Sequence, residues 1–255
     1  MKLSTTNNKI NNLFFVLGIL SIILVWFLFS VVIDNSGIIP SIPAVFEKVF
    51  DLLKELNTYS MIIKTILKIV FALLISFVLA FVFAILSLLS SKIENFVRPL
   101  ITLFKTVPVV SIAAIVLIMF FKQDVRYIGT IVVGIIVIVP IIYESILTSF
   151  QSIDKNIIDS TKLESNFNFR VIMDVYVPLA LPSIVTSILQ SFGLGLKVLV
   201  MSEVIINPNN SIGKAIGEYA TYGEMEYVFA WTIILIIIVL LCDYGLKKFK
   251  AKTWY

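Results

Sequence analysis

Six long apolar runs decide what this chain can fold into. A helix that crosses a hydrocarbon core needs about 20 apolar residues, and the sequence offers such runs at 13–33, 69–89, 100–121, 127–146, 179–206 and 228–246. Of the 255 residues, 59% are hydrophobic, against about 45–50% in soluble domains, so the surplus requires lipid as its solvent. The fold class expected is an all-α integral membrane protein. Pro108 falls inside the third run, where it either kinks the helix or marks its true start. The first run follows Lys2 and Lys9 but is too long for a signal-peptide core and lacks a small-residue cleavage pattern, so it reads as a retained span.

Lys and Arg placement sets the orientation. With both termini cytoplasmic, the inner segments hold Lys2, Lys9, Lys92, Arg98, Lys105, Lys155, Lys162, Arg170, Lys247, Lys248, Lys250 and Lys252. The outer segments then hold the smaller set Lys48, Lys54, Lys64, Lys68, Lys122, Arg126 and Lys214. The net charge of +4 is too modest to indicate a nucleic-acid partner. The chain has no histidine, which removes histidine bases and most zinc sites. It also has no G-x-x-x-x-G-K-[ST] phosphate loop. Catalysis within the chain, a cofactor and a bound metal are accordingly not expected. Cys242, the one cysteine, reads as a small core residue.

The long polar interruption at 154–182 is the place to receive a partner. Asn156 and Asp159 can cap or begin a short helix, and Asp159, Lys162 and Leu163 share one helical face. Ser160, Thr161 and Ser165 are small enough to let another surface approach the backbone. Pro178 and Pro182 are expected to fix the entry of the fifth span and to stop the upstream helix from running on. Elsewhere, Phe46, Val49, Phe50 and Leu53 recur at helical spacing after the prolines at 40 and 43. They predict an amphipathic helix that either lies on the membrane surface or packs on the bundle. The turn-rich stretch from Asn207 to Gly213, with Glu218, Glu224 and Glu226 beyond, reads as a solvated outer loop or as a docking surface.

Charge inside a span is expensive and marks a candidate site. Lys197 lies well inside the fifth span, with Glu203 nearer its outer end. Six residues at 100° each put the two about 120° apart. Lys197 either faces a translocation path, where it would attract an anion, or pairs with a carboxylate on a neighbouring span. Gly193 and Gly195 allow close helix packing or a flexible gate. Lys64 and Lys68 read as interfacial anchors at the outer end of the second span.

These residues carry a resemblance. The run of Asp159, Ser160, Thr161 and Ser165, followed by Val177, Pro178, Leu181 and Pro182, resembles the EAA loop of ABC importer permeases. Aspartate and serine stand there in place of the family's glutamate and glycine. Further matches are the Pro-Ser-x-Pro at 40–43, Arg98 with Pro99, Thr106 to Pro108, Ser202 with Glu203, Ile212 with Gly213, and Asp243. In order and spacing the chain is similar to permease subunits of the nitrate, sulfonate and taurine type.

The resemblance implies the type I ABC importer (MetI-like) fold in the inner membrane. Residues 1–60 would form an N-terminal span plus outer segment, and residues 61–255 a core permease domain. It implies ATPase coupling through Asp159, Ser160, Thr161, Lys162, Leu163, Ser165, Pro178 and Pro182, and a translocation path near Gly193, Gly195, Lys197 and Glu203. The implied partners are an ABC ATPase carrying ATP and magnesium, an extracytoplasmic solute-binding protein, and a second copy of the permease. The implied solute is a small anion such as nitrate or a sulfonate, or alternatively a thiamine precursor or similar heterocycle, for which Phe192, Tyr219, Tyr222 and Tyr227 supply aromatic surface. An ion-coupled secondary transporter is the rival from another class, but the spans are poor in internal acids and show no repeat.

Overall fold

The computed structural model describes residues 5–164 and 168–253, with side chains for 13–160, 168–245 and 248. Every described element is helical: α1 (Thr5–Ile33), α2 (Ile42–Lys54), α3 (Leu56–Leu89), α4 (Ser91–Thr106), α5 (Val109–Met119), α6 (Arg126–Gln151), α7 (Lys155–Glu164), α8 (Phe169–Val171), α9 (Val177–Ile206), α10 (Ile212–Thr221) and α11 (Met225–Thr253). Helices satisfy their own backbone groups, which lipid demands. Five are long and apolar enough to cross a membrane. The third expected span is not one straight helix: α4 and α5 meet at 93°. Pro108, the N-cap of α5, has no N–H with which to continue α4, and Val107 before it takes extended backbone. The bent pair counts as a sixth crossing if taken as one span.

The chain divides into two compact units, residues 1–56 with 218–236 and residues 57–217 with 237–255. In the first unit, α2 buries Val45, Val49 and Leu52. Phe46, Phe50 and Leu53 point outward, so the packed stripe lies beside the one the spacing singled out. Trp26 donates from Nε1 to the Pro40 carbonyl at 3.0 Å, which ties α1 to the turn before α2. Tyr219 stacks on Tyr227 at 4.4 Å between ring centres, and Lys48 lies 5.2 Å over the Tyr227 ring.

In the second unit α3 turns a face rich in small residues inward and most of its large apolar side chains outward. On α3, Thr65, Ala72, Ser76, Ala80, Ala84 and Ser87 are buried, while Leu67, Phe71, Leu74 and Val78 are exposed. This inverts the soluble pattern, because lipid offers no hydrophobic drive between helices and association rests on close backbone approach. A Cβ on Gly134 of α6 would come within 3.2 Å of the Ala72 Cβ. One on Gly195 of α9 would meet Ile138 Cδ1 at 2.7 Å and Ile69 Cδ1 at 2.8 Å. At these points α3, α6 and α9 pack so closely that an added methyl group would force the Ile69, Ala72 and Ile138 side chains to shift. Tyr143 and Ser87 share a buried hydrogen bond of 2.9 Å between α6 and α3. Against α6 and α9 lies α5, through Ile112, Ala113 and Val116 packed with Val133 and Ile206.

Candidate functional site

The polar loop begins with a short exposed helix. Asp154 caps α7: its Oδ1 accepts from the Asn156 N–H at 2.8 Å, and its carbonyl accepts from Ile157 and Ile158. The cap expected at Asn156 or Asp159 thus falls on Asp154, one residue before the first helical turn. Asp159 and Ser160 are exposed on the body of α7, with Ser160 Oγ bonded to the Asn156 carbonyl at 2.8 Å. The side chains of Thr161, Lys162 and Leu163, and all of Ser165, lie outside the described residues.

Asn168 then caps a new helical start, accepting from the Val171 N–H at 3.1 Å. From there the backbone stays helical through both prolines, so they do not stop the upstream helix. Pro178 takes the second position of α9 and Pro182 lies inside it. What admits Pro178 is a π turn at Ile172–Tyr176. A proline ring clashes with the carbonyl four residues earlier, here Asp174, and the wider turn carries that carbonyl aside.

At the far end of α9 the chain builds a buried ionic knot. Lys68 Nζ lies 2.6 Å from Glu203 Oε1, with the two side chains 8% and 0% exposed. Thr65, three residues before Lys68 on the same face of α3, donates to Glu203 at 3.0 Å. The fourth member is backbone: the Gly213 N–H donates to Glu203 Oε2 at 2.9 Å. The carboxylate sits at the N-terminus of α10, where the helix dipole favours negative charge. Only glycine fits at 213, because a methyl group there would overlap Glu203 Cβ and the Val200 carbonyl. Asn207 and Asn210 turn the chain back toward α9 in the left-handed region, at φ 56° and 53°.

Two expectations are corrected here. Lys68 is not an interfacial anchor but the counter-ion of Glu203, whereas Lys64 is exposed. The stretch after Asn207 is solvated only in part: Ser211, Ile212, Gly213 and Ala215 are buried, whereas Glu218 and Glu224 are exposed.

Lys197 lies about 120° around α9 from Glu203 and is exposed. Among the described residues Lys197 forms no ion pair with a carboxylate. Gln190, Leu194, Met201 and Val204 continue the exposed stripe. Gly195 is packed inward as described above, and a Cβ on Gly193 would meet Val239 Cγ1 at an ordinary 3.7 Å.

Residues 76–254 match the model of the binding-protein-dependent transport system inner membrane component family. The chain belongs to this family. The permease is also similar to a protein of Methanocaldococcus jannaschii provisionally named as an ABC transporter permease, at 24% identity over 90% of this chain and 86% of that one. Among solved structures it resembles a bacterial ABC transporter involved in import of the acidic polysaccharide alginate, with a TM-score of 0.69 and 14% identity over 97% of this chain and 99% of that one. An amino acid ABC transporter gives a TM-score of 0.65 at 16% identity, covering 77% and 93%.

These likenesses place the permease in the type I ABC importer fold, as a multi-pass membrane subunit of a binding-protein-dependent importer. Glu203 and Gly213 of the permease lie within the family match, whereas Thr65 and Lys68 precede it. Sequence reasoning found Glu203 and Gly213 as motif residues but missed that they meet. The signal for Lys68 was its place on the small-residue face of α3 rather than on the large apolar one.

Proposed function

We propose that two copies of this permease line a path for a small anion of the nitrate or sulfonate kind, with Lys197 as the residue that draws it in. The observation that carries this is an exposed lysine inside a span. At 30 residues α9 is about 45 Å long and overhangs a core of about 30 Å by roughly 7 Å at each end, so Lys197, nine residues or about 14 Å from the end of α9, lies about 6 Å inside the core. A charge at that depth faces a water-filled cavity or a partner, not lipid.

In this reading both termini and α7 face the cytoplasm. A separate ATPase, which holds ATP and magnesium, docks on Asp159, Ser160 and the residues that follow in the 154–182 loop, and a solute-binding protein delivers cargo to the opposite face. Residues 61–255 act as the core permease domain and residues 1–60 as its N-terminal addition. The exposure of Asp159 and Ser160 on a capped helix supports the docking surface.

The test is ATP hydrolysis and solute uptake by the permease co-purified with its ATPase and supplied with its solute-binding protein. In wild type, uptake of nitrate or a sulfonate should follow ATP. The Asp159→Lys change should abolish ATPase association, and Lys197→Gln should lower anion uptake while leaving association intact. Uptake that follows an ion gradient, or that ignores Lys197, overturns the corresponding half.

A further inference from the structure

A second Lys–Glu pair joins α4 to α6 in a different setting. Lys105 Nζ lies 2.6 Å from Glu144 Oε2, with the side chains 43% and 44% exposed. Around them is a cleft of about 410 Å³ lined by Ile141, Ser145, Thr148 and Ser149 besides the pair. At its other end α4 is held to α6 by Gln151, which donates to Glu94 at 3.4 Å. Lys105 stands just before the break at Val107 and Pro108, so the pair fastens α6 to the elbow itself.

Depth makes this exposure informative. At 26 residues α6 is about 39 Å long, so it overhangs a core of about 30 Å by roughly 5 Å at each end. Glu144, seven residues before Gln151, lies about 10 Å from that end and about 6 Å inside the core. Its arm is too short to reach the interface, unlike that of a lysine, which can snorkel. An ionised pair beside three hydroxyls at that depth cannot face hydrocarbon.

We infer that Lys105 and Glu144 form a charge latch across a water-filled path, at the level of α6 between Ile141 and Thr148. Closed, the pair neutralises both charges and seals the path. When the α4–α5 elbow moves away from α6, Lys105 is uncovered and its ammonium becomes available to an anionic solute. This rests on the reading of the chain as a path-forming permease for anions.

The experiment uses thiol labelling, so it does not depend on a solute or on the ATPase. In a Cys242→Ser background, which removes the native thiol, single cysteines replace Thr148, Ile141 and the outward-facing Val78 of α3. The chain, with whatever subunits co-purify, is placed in nanodiscs and treated with a membrane-impermeant cationic methanethiosulfonate. Exclusion of a charged reagent from hydrocarbon should make Thr148→Cys react at least ~10-fold faster than Val78→Cys. Ile141→Cys should be protected in the parent, react faster in Glu144→Gln or Lys105→Met, and regain protection in the charge-exchanged Lys105→Glu/Glu144→Lys.

Labelling of Thr148→Cys no faster than Val78→Cys overturns the water-filled face. Equal labelling of Ile141→Cys in all backgrounds overturns the seal. The charge exchange decides the matter even where a single substitution fails to fold. A missing ATPase partner would sink the importer reading through its own assay and leave these rates as they are.

Discussion

Two Lys–Glu pairs in this permease have the same 2.6 Å separation and opposite surroundings. Lys68 and Glu203 are closed in on all sides, and the carboxylate is further bonded by Thr65 and by the Gly213 N–H. Lys105 and Glu144 stand half in the open above a hydroxyl-lined cleft. The distance alone therefore says nothing about the role. A buried charge that loses its partner has nowhere to turn, so the first pair holds helices together. A half-exposed one exchanges its partner for water at small cost, so the second is free to open.

Removing Lys68 should be the most damaging change. Lys68→Met leaves the buried Glu203 carboxyl without its counter-ion, and breaking a buried pair in this way costs about 3–5 kcal/mol. Thermal unfolding in detergent should show the loss, and the double change Lys68→Met/Glu203→Gln should be milder than the single one because the stranded charge is gone. A single variant as stable as wild type would erase the contrast between the pairs.

Next comes Gly213→Ala, which forces a methyl group into the α9 backbone. Overpacking of this kind costs about 1–3 kcal/mol, and here it also pulls the Gly213 N–H off the Glu203 carboxylate, so the melting temperature should fall. By contrast Glu144→Gln should change stability by less than about 1 kcal/mol, as is usual for exposed pairs. Smallest of all is Asp159→Lys, an exposed site on α7 that should stay within about 0.5 kcal/mol of wild type although it removes a docking carboxylate. Added salt sharpens the comparison further: it should weaken the Lys105–Glu144 pair and leave the buried Lys68–Glu203 pair, which mobile ions do not reach, nearly unchanged, measured as the salt dependence of each double-mutant coupling energy.

The spans were legible because their signal is local: an unbroken apolar run is long enough or it is not. The elbow was half legible, since Pro108 announced a break but its sharpness depends on how α4 lies along α6. The knot was illegible because Lys68 and Glu203 are 135 positions apart, and because a lysine near a span end has a cheap local explanation. Glu144 escaped notice for a related reason. It interrupts the fourth run without ending it, and only the fold brings Lys105 to it. The prolines misled in the other direction, since a single wide turn was enough to keep the helix going.

That wide turn also sets a phase. A π turn takes in one residue more than an α-helical turn, so each side chain upstream of Ile172 is rotated by about 100° from where an uninterrupted helix would put it. Helix α9 thus reads like a key cut with one offset tooth. Deleting one residue from 172–176 would restore the regular pitch and swing the face that Phe169 and Arg170 present by more than a quarter turn against the face that carries Lys197, with the composition of both ends otherwise untouched.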